Sequence, residues 1–471
     1  MMKYDITVGL EIHVELDTNT KLMCACANTA SCKPNTNVCP TCMAFPGALP
    51  SVNRAAIEKA ILAGHAFDCE INDLAIFERK HYFYPDLPAG YQLTQLARPQ
   101  CLGGHVKLKC GKVINFNRIH VEENAGKLIH DEVRGESLID FNRAGVPLIE
   151  MVTEPEINSS TEAIEFLEEV RSRLVFSGAA QCKMEDGGLR VDVNISLKPK
   201  GAKKFGNRVE LKNLNSFKMV ARAIEFEANR QAQLLDNSRD IMQETRKWND
   251  ACGISTSMRS KEDEVDYAYM ACPDIPTIHV SKQVSNKIKA SMPKLAHVLY
   301  KEFKNLGLTD YEAEILTRER SVSEFYLESI KLINEPKKIS NWLLTDILAR
   351  AKGMEILITP KQFTDIIAMV DAKKITKTNS LDLLDKIWGD KKIAAKEIAK
   401  DMGILDGISD KEVEKIITEL IAKNPQAITD YANTPDKVIN FFMGQTMKAT
   451  GGKADSVKVK EIFSQKLNRL Q

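Results

Sequence analysis

A chain of 471 residues is longer than one hydrophobic core usually serves, so two or three domains are expected. Its 65 basic and 64 acidic residues leave a net charge of +1, which excludes bulk attraction to nucleic acid and confines any such contact to a local patch. No run approaches the roughly 18 uninterrupted apolar residues of a membrane span, and MMKYDITVGLEIHVEL shows no apolar or Arg/Ser-rich leader; a cytoplasmic protein with no membrane contact and reduced cysteines is expected.

The stretch VGLEIHVEL, residues 8–16, alternates strictly: Leu10, Ile12, Val14 and Leu16 interleave with Glu11, His13 and Glu15. A strand follows, with one apolar face and one acidic, histidine-bearing face. Next, CACANTASCKPNTNVCPTC supplies Cys24-x-Cys26 and Cys39-x-x-Cys42, two close pairs of soft ligands suited to a tetrahedral zinc ion, with Pro40 favouring a knuckle turn. Four thiolates without an open position imply a structural insert at 24–42; the alternative is a loop of scattered cysteines. Cys32 is left over, and the other six cysteines read as small core residues.

Residues 77–95, FERKHYFYPDLPAGYQLTQ, combine Arg79, Lys80 and His81 with Tyr82, Phe83, Tyr84 and Tyr91. Charge for phosphate and rings for bases make a surface for a nucleic-acid end; equally, the rings could anchor a turn to the core. RIHVEENAGK at 118–127 then repeats the IHVE wording with Glu122 and Glu123, and Glu150 follows in VPLIEMVTEP. STEAIEFLEEVRSRLVF, 160–176, reads as a helix opening on Ser with Glu early and Arg late. In LRVDVNIS, Val191, Val193 and Ile195 share one strand face and Asp192 and Asn194 the other, and FKMVARAIEFEANRQAQLL is a second helix. With turn signals between them, residues 1–293 form an α+β block.

From Pro293 onward the pattern is helical. Phe363, Ile366, Ile367 and Val370 recur at three- and four-residue spacing. GILDGIS near 403–409 punctuates the chain, after which Ser409 opens a capping box and Val413, Ile416, Ile417, Leu420 and Ile421 form one face up to Asn424-Pro425. The expected organisation is 1–293, an all-α domain at 294–405 and a small helical tail at 406–471. In residues 441–471, Lys448, Lys453, Lys458, Lys460, Lys466 and Arg469 outnumber Asp455 and Glu461, a modest electrostatic footprint or simply a solvated face.

Taken alone, Glu11 and His13 could face water. Together with Glu122, Glu123, Glu150 and Asp192 they could converge as a hard-cation site suited to magnesium and a nucleotide's phosphates. The metal would relieve the repulsion between gathered carboxylates. No GxxxxGK[ST] loop is present, so any ATP is held without a P-loop.

The strings VGLEIHVEL, CPTCMAFPGALPSVN, RKHYFYPDLPAGYQLTQ, HVEENAGK, LIDFNRAGVPLIEMVTEP, VELKNLNSF, TRKWND with MRSKE, and MGQTMKATGGKA closely resemble the B subunit of bacterial glutamyl/aspartyl-tRNA amidotransferase, from residue 5 to about 465. The resemblance implies a heterotrimer in which a glutaminase A subunit makes ammonia and a small C subunit steadies the pair. It implies that the B subunit takes up misacylated Glu-tRNA(Gln) or Asp-tRNA(Asn), phosphorylates the side-chain carboxylate with ATP and magnesium, and passes it to ammonia. It also implies a cradle-like catalytic domain with a mixed or antiparallel sheet, a helical domain and a tail that touches tRNA, where Lys448, Lys453 and Lys458 lie. By motif, the catalytic positions are Glu11, His13, Glu123 and Glu150, the magnesium positions add Glu122 and Asp192, and zinc falls to Cys24, Cys26, Cys39 and Cys42.

Three strings depart from the usual wording. EEDAGK reads Glu122-Glu123-Asn124-Ala125-Gly126-Lys127, DYRYFP reads Asp266-Tyr267-Ala268-Tyr269-Met270-Ala271, and GKANP reads Gly452-Lys453-Ala454-Asp455-Ser456. The Asn124 and Ala268 changes motivate a first rival reading, a zinc-stabilised tRNA-binding scaffold without catalysis. A metal-dependent nuclease using the acidic cluster is the second.

Overall fold

The N-terminal alternation becomes β1 (Tyr4–Glu15), an inner strand of a ten-stranded sheet. In chain order the further strands are β2 (Glu70–Ile71), β3 (Leu74–Ala75), β4 (Glu78–His81), β5 (Tyr91–Thr94), β6 (Cys101–Leu102), β7 (His105–Lys107), β8 (Val113–Glu123), β9 (Lys127–Asp131) and β10 (Glu136–Asp140). They continue with β11 (Pro147–Thr153), β12 (Leu189–Pro199), β13 (Val209–Leu214), β14 (Glu244–Asn249), β15 (Ile254–Ser260), β16 (Ala268–Ala271) and β17 (Ile278–His279). The large sheet runs β15-β14-β13-β12-β1-β11-β8-β6-β2, with β7 also on β8; β13 and β14 are parallel and the other pairs antiparallel. A second sheet, β16-β4-β5, matters for the site.

This computed structural model describes residues 3–29, 33–131, 134–260, 267–405, 410–426, 431, 435–450, 454 and 456–468. The chain divides into two units, Met1–Ala296 and His297–Gln471.

Among the described residues of the first unit, four α-helices accompany the sheet: α1 (Arg54–Ala66), α2 (Ser160–Ser177), α3 (Phe217–Asp236) and α4 (Lys282–Ser291). The Ser159 hydroxyl accepts the Glu162 N–H to start α2, and Gly178 in the left-handed region ends it. Ser216 caps α3 in the same way. Phe166 of α2 packs on Phe116 of β8, ring centroids 5.5 Å apart, so helices cover the apolar side of the sheet. Leu10, Ile12 and Val14 are essentially fully buried, as are Val191, Val193 and Ile195. Each contributes roughly 1.5–3 kcal/mol by leaving water. A one-residue slip of β1 would exchange them for Glu11, His13 and Glu15, so burial of one face fixes the register and the polar content of the other.

The second unit is helical, as the α+β reading with a helical C-terminal region requires. Thr359 and Gln362 form a capping box around Pro360 at the start of Pro360–Asp371, where Phe363, Ile366 and Ile367 are buried. Helices Asp410–Lys423, Pro435–Ala449 and Ser456–Asn468 enclose a core of their own, including Val413, Ile417, Ile421, Phe442, Val459 and Phe463. Ser409, Lys453 and Arg469 lie outside the described residues. Lys448 is exposed and Lys458 half-buried.

The cysteine reading needs a correction. Cys69, Cys101, Cys182 and Cys272 are buried, but Cys110 and Cys252 are exposed. Both sit in turns, where no apolar neighbour on the chain signals the difference. Cys32 lies outside the described residues. Among the described residues, no helix is long and apolar enough to cross a membrane.

Candidate active site

Strand pairing assembles the site from distant parts of the sequence. His13 on β1 lies directly opposite Glu150 on β11 and Arg190 on β12, and Glu150 lies opposite His120 on β8. Two residue pairs along the β8–β11 ladder, Glu122 joins the same face by alternation. His13 Nε2 is 3.4 Å from Glu150 Oε2 and 3.6 Å from Glu122 Oε1. His120 Nε2 is 3.6 Å from Glu150 Oε2 and 3.8 Å from Glu122 Oε2, while its Nδ1 is buried without a hydrogen-bond partner. His13, Glu122 and Glu150 each offer a ligand atom within 4.8 Å of the others.

A second group stands on the β12 side. Glu11 lies opposite Asp192, and Glu11, Asp192 and Glu210 of β13 also bring ligand atoms within 4.8 Å. Lys212 Nζ bridges Asp192 and Glu210, 2.7 Å from each, and Asn194 Nδ2 donates to Glu11 Oε1 at 2.9 Å. Carboxylate oxygens with an imidazole fit a hard divalent cation such as magnesium at the first group, and carboxylates alone fit it at the second.

The electrostatics follow from burial and crowding. Burial alone would depress the His13 imidazole, yet its hydrogen bond to Glu150 and the charges of Glu122, Glu150 and Asp192 raise it above its ordinary value. Burial would raise Glu150, but His120 and His13 hold its carboxyl well below the usual range. Glu11 is pushed up by burial and by Glu150 and Glu210, with Lys212 opposing. Lys212 is itself raised, because Asp192 and Glu210 outweigh its burial. One carboxylate group is thus balanced by imidazoles and the other by an ammonium.

Glu123 does not join either group. The β8–β11 ladder continues without a bulge through Glu122–Leu148 and Glu123–Pro147, so the neighbours diverge. Glu123 Oε1 accepts the Leu93 N–H at 3.0 Å, and its side chain borders a cavity lined by Cys24, Cys42, Leu87, Tyr91 and Asn124. Burial pushes its carboxyl up to about 7, with Glu122 adding to the rise and the Leu93 N–H opposing it. A carboxyl whose folded value lies above its unfolded one near 4.5 contributes stability that is complete below 4.5 and is lost as pH rises through 7. At 1.36 kcal/mol per unit the loss is about 3 kcal/mol. Glu123→Gln is therefore expected to gain stability relative to the parent as pH rises from about 5 to 8, read as paired melting curves; a pH-independent difference contradicts this.

Asn124, where the resemblance expects aspartate, bridges Glu15 Oε1 and Arg190 Nη2 at 3.0 Å each and is not in either ligand group. Asp266 lies outside the described residues. Of the changed positions in that string, Ala268 pairs with His81, Met270 with Arg79 and Ala271 with Glu78, and the unchanged Tyr269 pairs with Lys80. The changes at 268 and 270 therefore fall on one face of β16, while Tyr267 and Tyr269 share the other.

In the insert, the Sγ atoms of Cys24, Cys26, Cys39 and Cys42 all lie within 4.8 Å of one another. Four thiols at this spacing fit a tetrahedral zinc ion. The Cys39 N–H donates to Cys42 Sγ at 3.1 Å, closing the knuckle. Lys21 is fully buried, with Nζ 3.0 Å from the Asn37 carbonyl and 3.8 Å from Cys42 Sγ, placing a positive charge beside the thiols.

Sequence patterns missed His120, Glu210, Lys212 and Arg190. The alternation Val209-Glu210-Leu211-Lys212 carries the β13 pair in the same form that exposed Glu11 and His13. His120 is flagged only by the pairing of β8 with β11.

The first unit matches the family described as the GatB/GatE catalytic domain over residues 6–286, and the second matches the GatB domain over residues 324–467. The chain belongs to this GatB family. The B subunit of the aspartyl/glutamyl-tRNA(Asn/Gln) amidotransferase of Caldicellulosiruptor saccharolyticus is 41% identical to it over 481 residues, spanning all of both chains. The protein of the same name in Thermoanaerobacter pseudethanolicus is 39% identical over 99% of this chain and 100% of its own. That of Elusimicrobium minutum is 41% identical, again over 99% and 100%.

Proposed function

We propose that this chain activates the side-chain carboxylate of glutamate or aspartate esterified to tRNA, using ATP, and presents it to ammonia from a glutaminase partner. The observation that carries the reading is the pair of cation-suited groups, His13–Glu122–Glu150 and Glu11–Asp192–Glu210, on one face of the catalytic-domain sheet. Attack of a carboxylate on a γ-phosphate brings anions together, and divalent magnesium supplies the charge neutralisation that this requires. The residues of both groups would hold it. Lys212 and the two histidines balance the carboxylates that remain. The acyl phosphate so formed supplies the leaving group that a bare carboxylate lacks.

Glu11, His13, Glu122, Glu150 and Asp192 belong to this machinery, joined by His120 and Glu210. Glu123 contributes from the adjoining cavity. Zinc on Cys24, Cys26, Cys39 and Cys42 braces the insert and takes no part in the reaction. The working assembly is a heterotrimer that also contains a glutaminase A subunit, plus a small C subunit, in a cytoplasm that keeps the thiols reduced.

ATP turnover by the assembled protein that depends on Glu-tRNA(Gln) or Asp-tRNA(Asn) is the expected result. Turnover indifferent to charged tRNA sinks the reading in favour of a scaffold, and tRNA cleavage with magnesium and no ATP would favour a nuclease. Lys448, Lys453 and Lys458 are assigned to tRNA contact. Because the tail has its own core, deleting residues 406–471 is expected to raise KM for tRNA about tenfold with little change in kcat. An unchanged KM refutes that assignment.

A further inference from the structure

The aromatic segment at 77–95 remains unused by the chemistry above. Its strand β4 is the middle of the sheet β16-β4-β5. That sheet docks on the end of β8: Gln92 Nε2 donates to the Glu123 carbonyl at 2.8 Å, and Thr94 Oγ1 lies 3.4 Å from Glu122 Oε2. Alternation puts Lys80 and Tyr82 on one face of β4 and its extension, and register puts Tyr269 opposite Lys80, with Tyr267 two residues before it. The Tyr82 and Tyr267 rings meet edge to face at 5.4 Å, and Lys80 Nζ lies 4.8 Å from the Tyr267 centroid and 5.8 Å from that of Tyr82.

The segment's own rings divide: Phe83 and Tyr84 are exposed, while Tyr82 and Tyr91 are half-buried, Tyr91 against His81. Across the small sheet, Tyr267 and Tyr269 are each 38% exposed. Among the described residues Lys80 forms no ion pair, and the Arg118 Nε is buried without a partner. Register puts Lys80 opposite Gln92, on the face from which Thr94 reaches Glu122, and alternation puts Arg118 on the β8 face that carries His120 and Glu122. The cations and rings therefore border the His13–Glu122–Glu150 group.

We propose that Tyr82, Tyr267 and Tyr269 seat the 3′-terminal adenosine of the substrate tRNA, its base stacked on the rings and the adjoining phosphate held by Lys80 and Arg118. The inference rests on the reading that aminoacyl-tRNA is the substrate. Its geometric basis is reach: the reacting carboxylate is one amino-acid side chain away from the terminal ribose, so that nucleoside must sit beside the carboxylate group. The base of ATP sits a whole triphosphate away from its reacting phosphorus. Partly exposed rings beside cations that form no ion pair are also what single-stranded ends stack upon.

The test uses the assembled complex and uncharged tRNA(Gln), intact or lacking only its terminal adenosine. Tyr267→Ala with Tyr269→Ala is expected to weaken binding of intact tRNA roughly tenfold, and removing the adenosine should weaken the parent by a similar factor. Combining both changes should cost no more than either, since each removes the same contact. The Tyr→Phe pair should bind like the parent, and KM for ATP should not move. Losses that multiply, unchanged tRNA binding, or a rise in KM for ATP alone would each overturn the proposal. A parent complex that does not bind tRNA at all overturns the underlying functional reading instead.

Discussion

Glu150→Gln is expected to lower tRNA-dependent ATP turnover by roughly a hundredfold or more. Glutamine keeps the volume and the β11 backbone pairing but removes the charge that lies 3.4 Å from His13 and 3.6 Å from His120. That carboxyl stays ionised far into acid, because the two imidazoles outweigh its burial. Without it, one of the three ligand atoms of the His13–Glu122–Glu150 group becomes a weak neutral donor. The loss should fall on kcat with tRNA binding retained, since no step of docking uses the charge. Steady-state turnover against tRNA concentration reads both quantities. A variant within threefold of the parent in kcat contradicts the assignment.

Cys42→Ser is the change with the largest expected effect on stability. The parent is expected to carry about one zinc per chain. Losing a thiolate from a four-thiolate site should release the metal and destabilise the catalytic unit by several kcal/mol, on the order of a 10 °C fall in Tm. The insert has little else to hold it: between 24 and 44 its regular hydrogen bonds are short-range turns, such as Met43 N–H to the Cys39 carbonyl at 3.0 Å. Its ties to the 139–142 stretch run through Lys21, Lys33, Asn35 and Asn37, which meet Phe141, Asn142, Asp140 and Ile139. Metal analysis and melting of the two proteins check this, and a variant with full zinc and unchanged Tm contradicts it. Turnover at low temperature should persist, because the Cys cluster supplies no ligand to either carboxylate group.

The local half of this protein is legible because strands and helices write their periods into the chain. Alternation at 8–16 and 189–196 foretells which side chains of β1 and β12 leave the core, and capping residues mark α2 and α3. Register is a different matter. His13 meets Glu150 because β1 pairs with β11, across a long stretch of intervening chain, and no local pattern states which strands become neighbours. His120 escapes sequence reading for that reason: it looks like an ordinary polar residue until β8 is placed beside β11.

The doublet Glu122-Glu123 shows the same limit at finer scale. Motif wording treats the two as one acidic unit, but the ladder sends Glu122 to His13 and Glu123 to the Leu93 N–H. Conversely, the cysteine cluster can be read from spacing alone, since Cys24-x-Cys26 and Cys39-x-x-Cys42 each fix a pair locally, and the four sulfurs do lie together. The aromatic segment is ambiguous on composition. Exposure divides it: Phe83 and Tyr84 are exposed, whereas Tyr82 and Tyr91 are half-buried.

The central claim is that the polar sheet face joins a tRNA-borne carboxylate to the γ-phosphate of ATP. Isotope transfer tests it most directly. Glu-tRNA(Gln) carrying oxygen-18 in the side-chain carboxylate is turned over by the assembled protein with ATP and a source of ammonia, and the inorganic phosphate released is analysed by mass. Formation of an acyl phosphate moves one carboxylate oxygen to phosphorus, so the account predicts one oxygen-18 in each phosphate formed per amide. Phosphate that contains only solvent or ATP oxygen, while amide still forms, would contradict it.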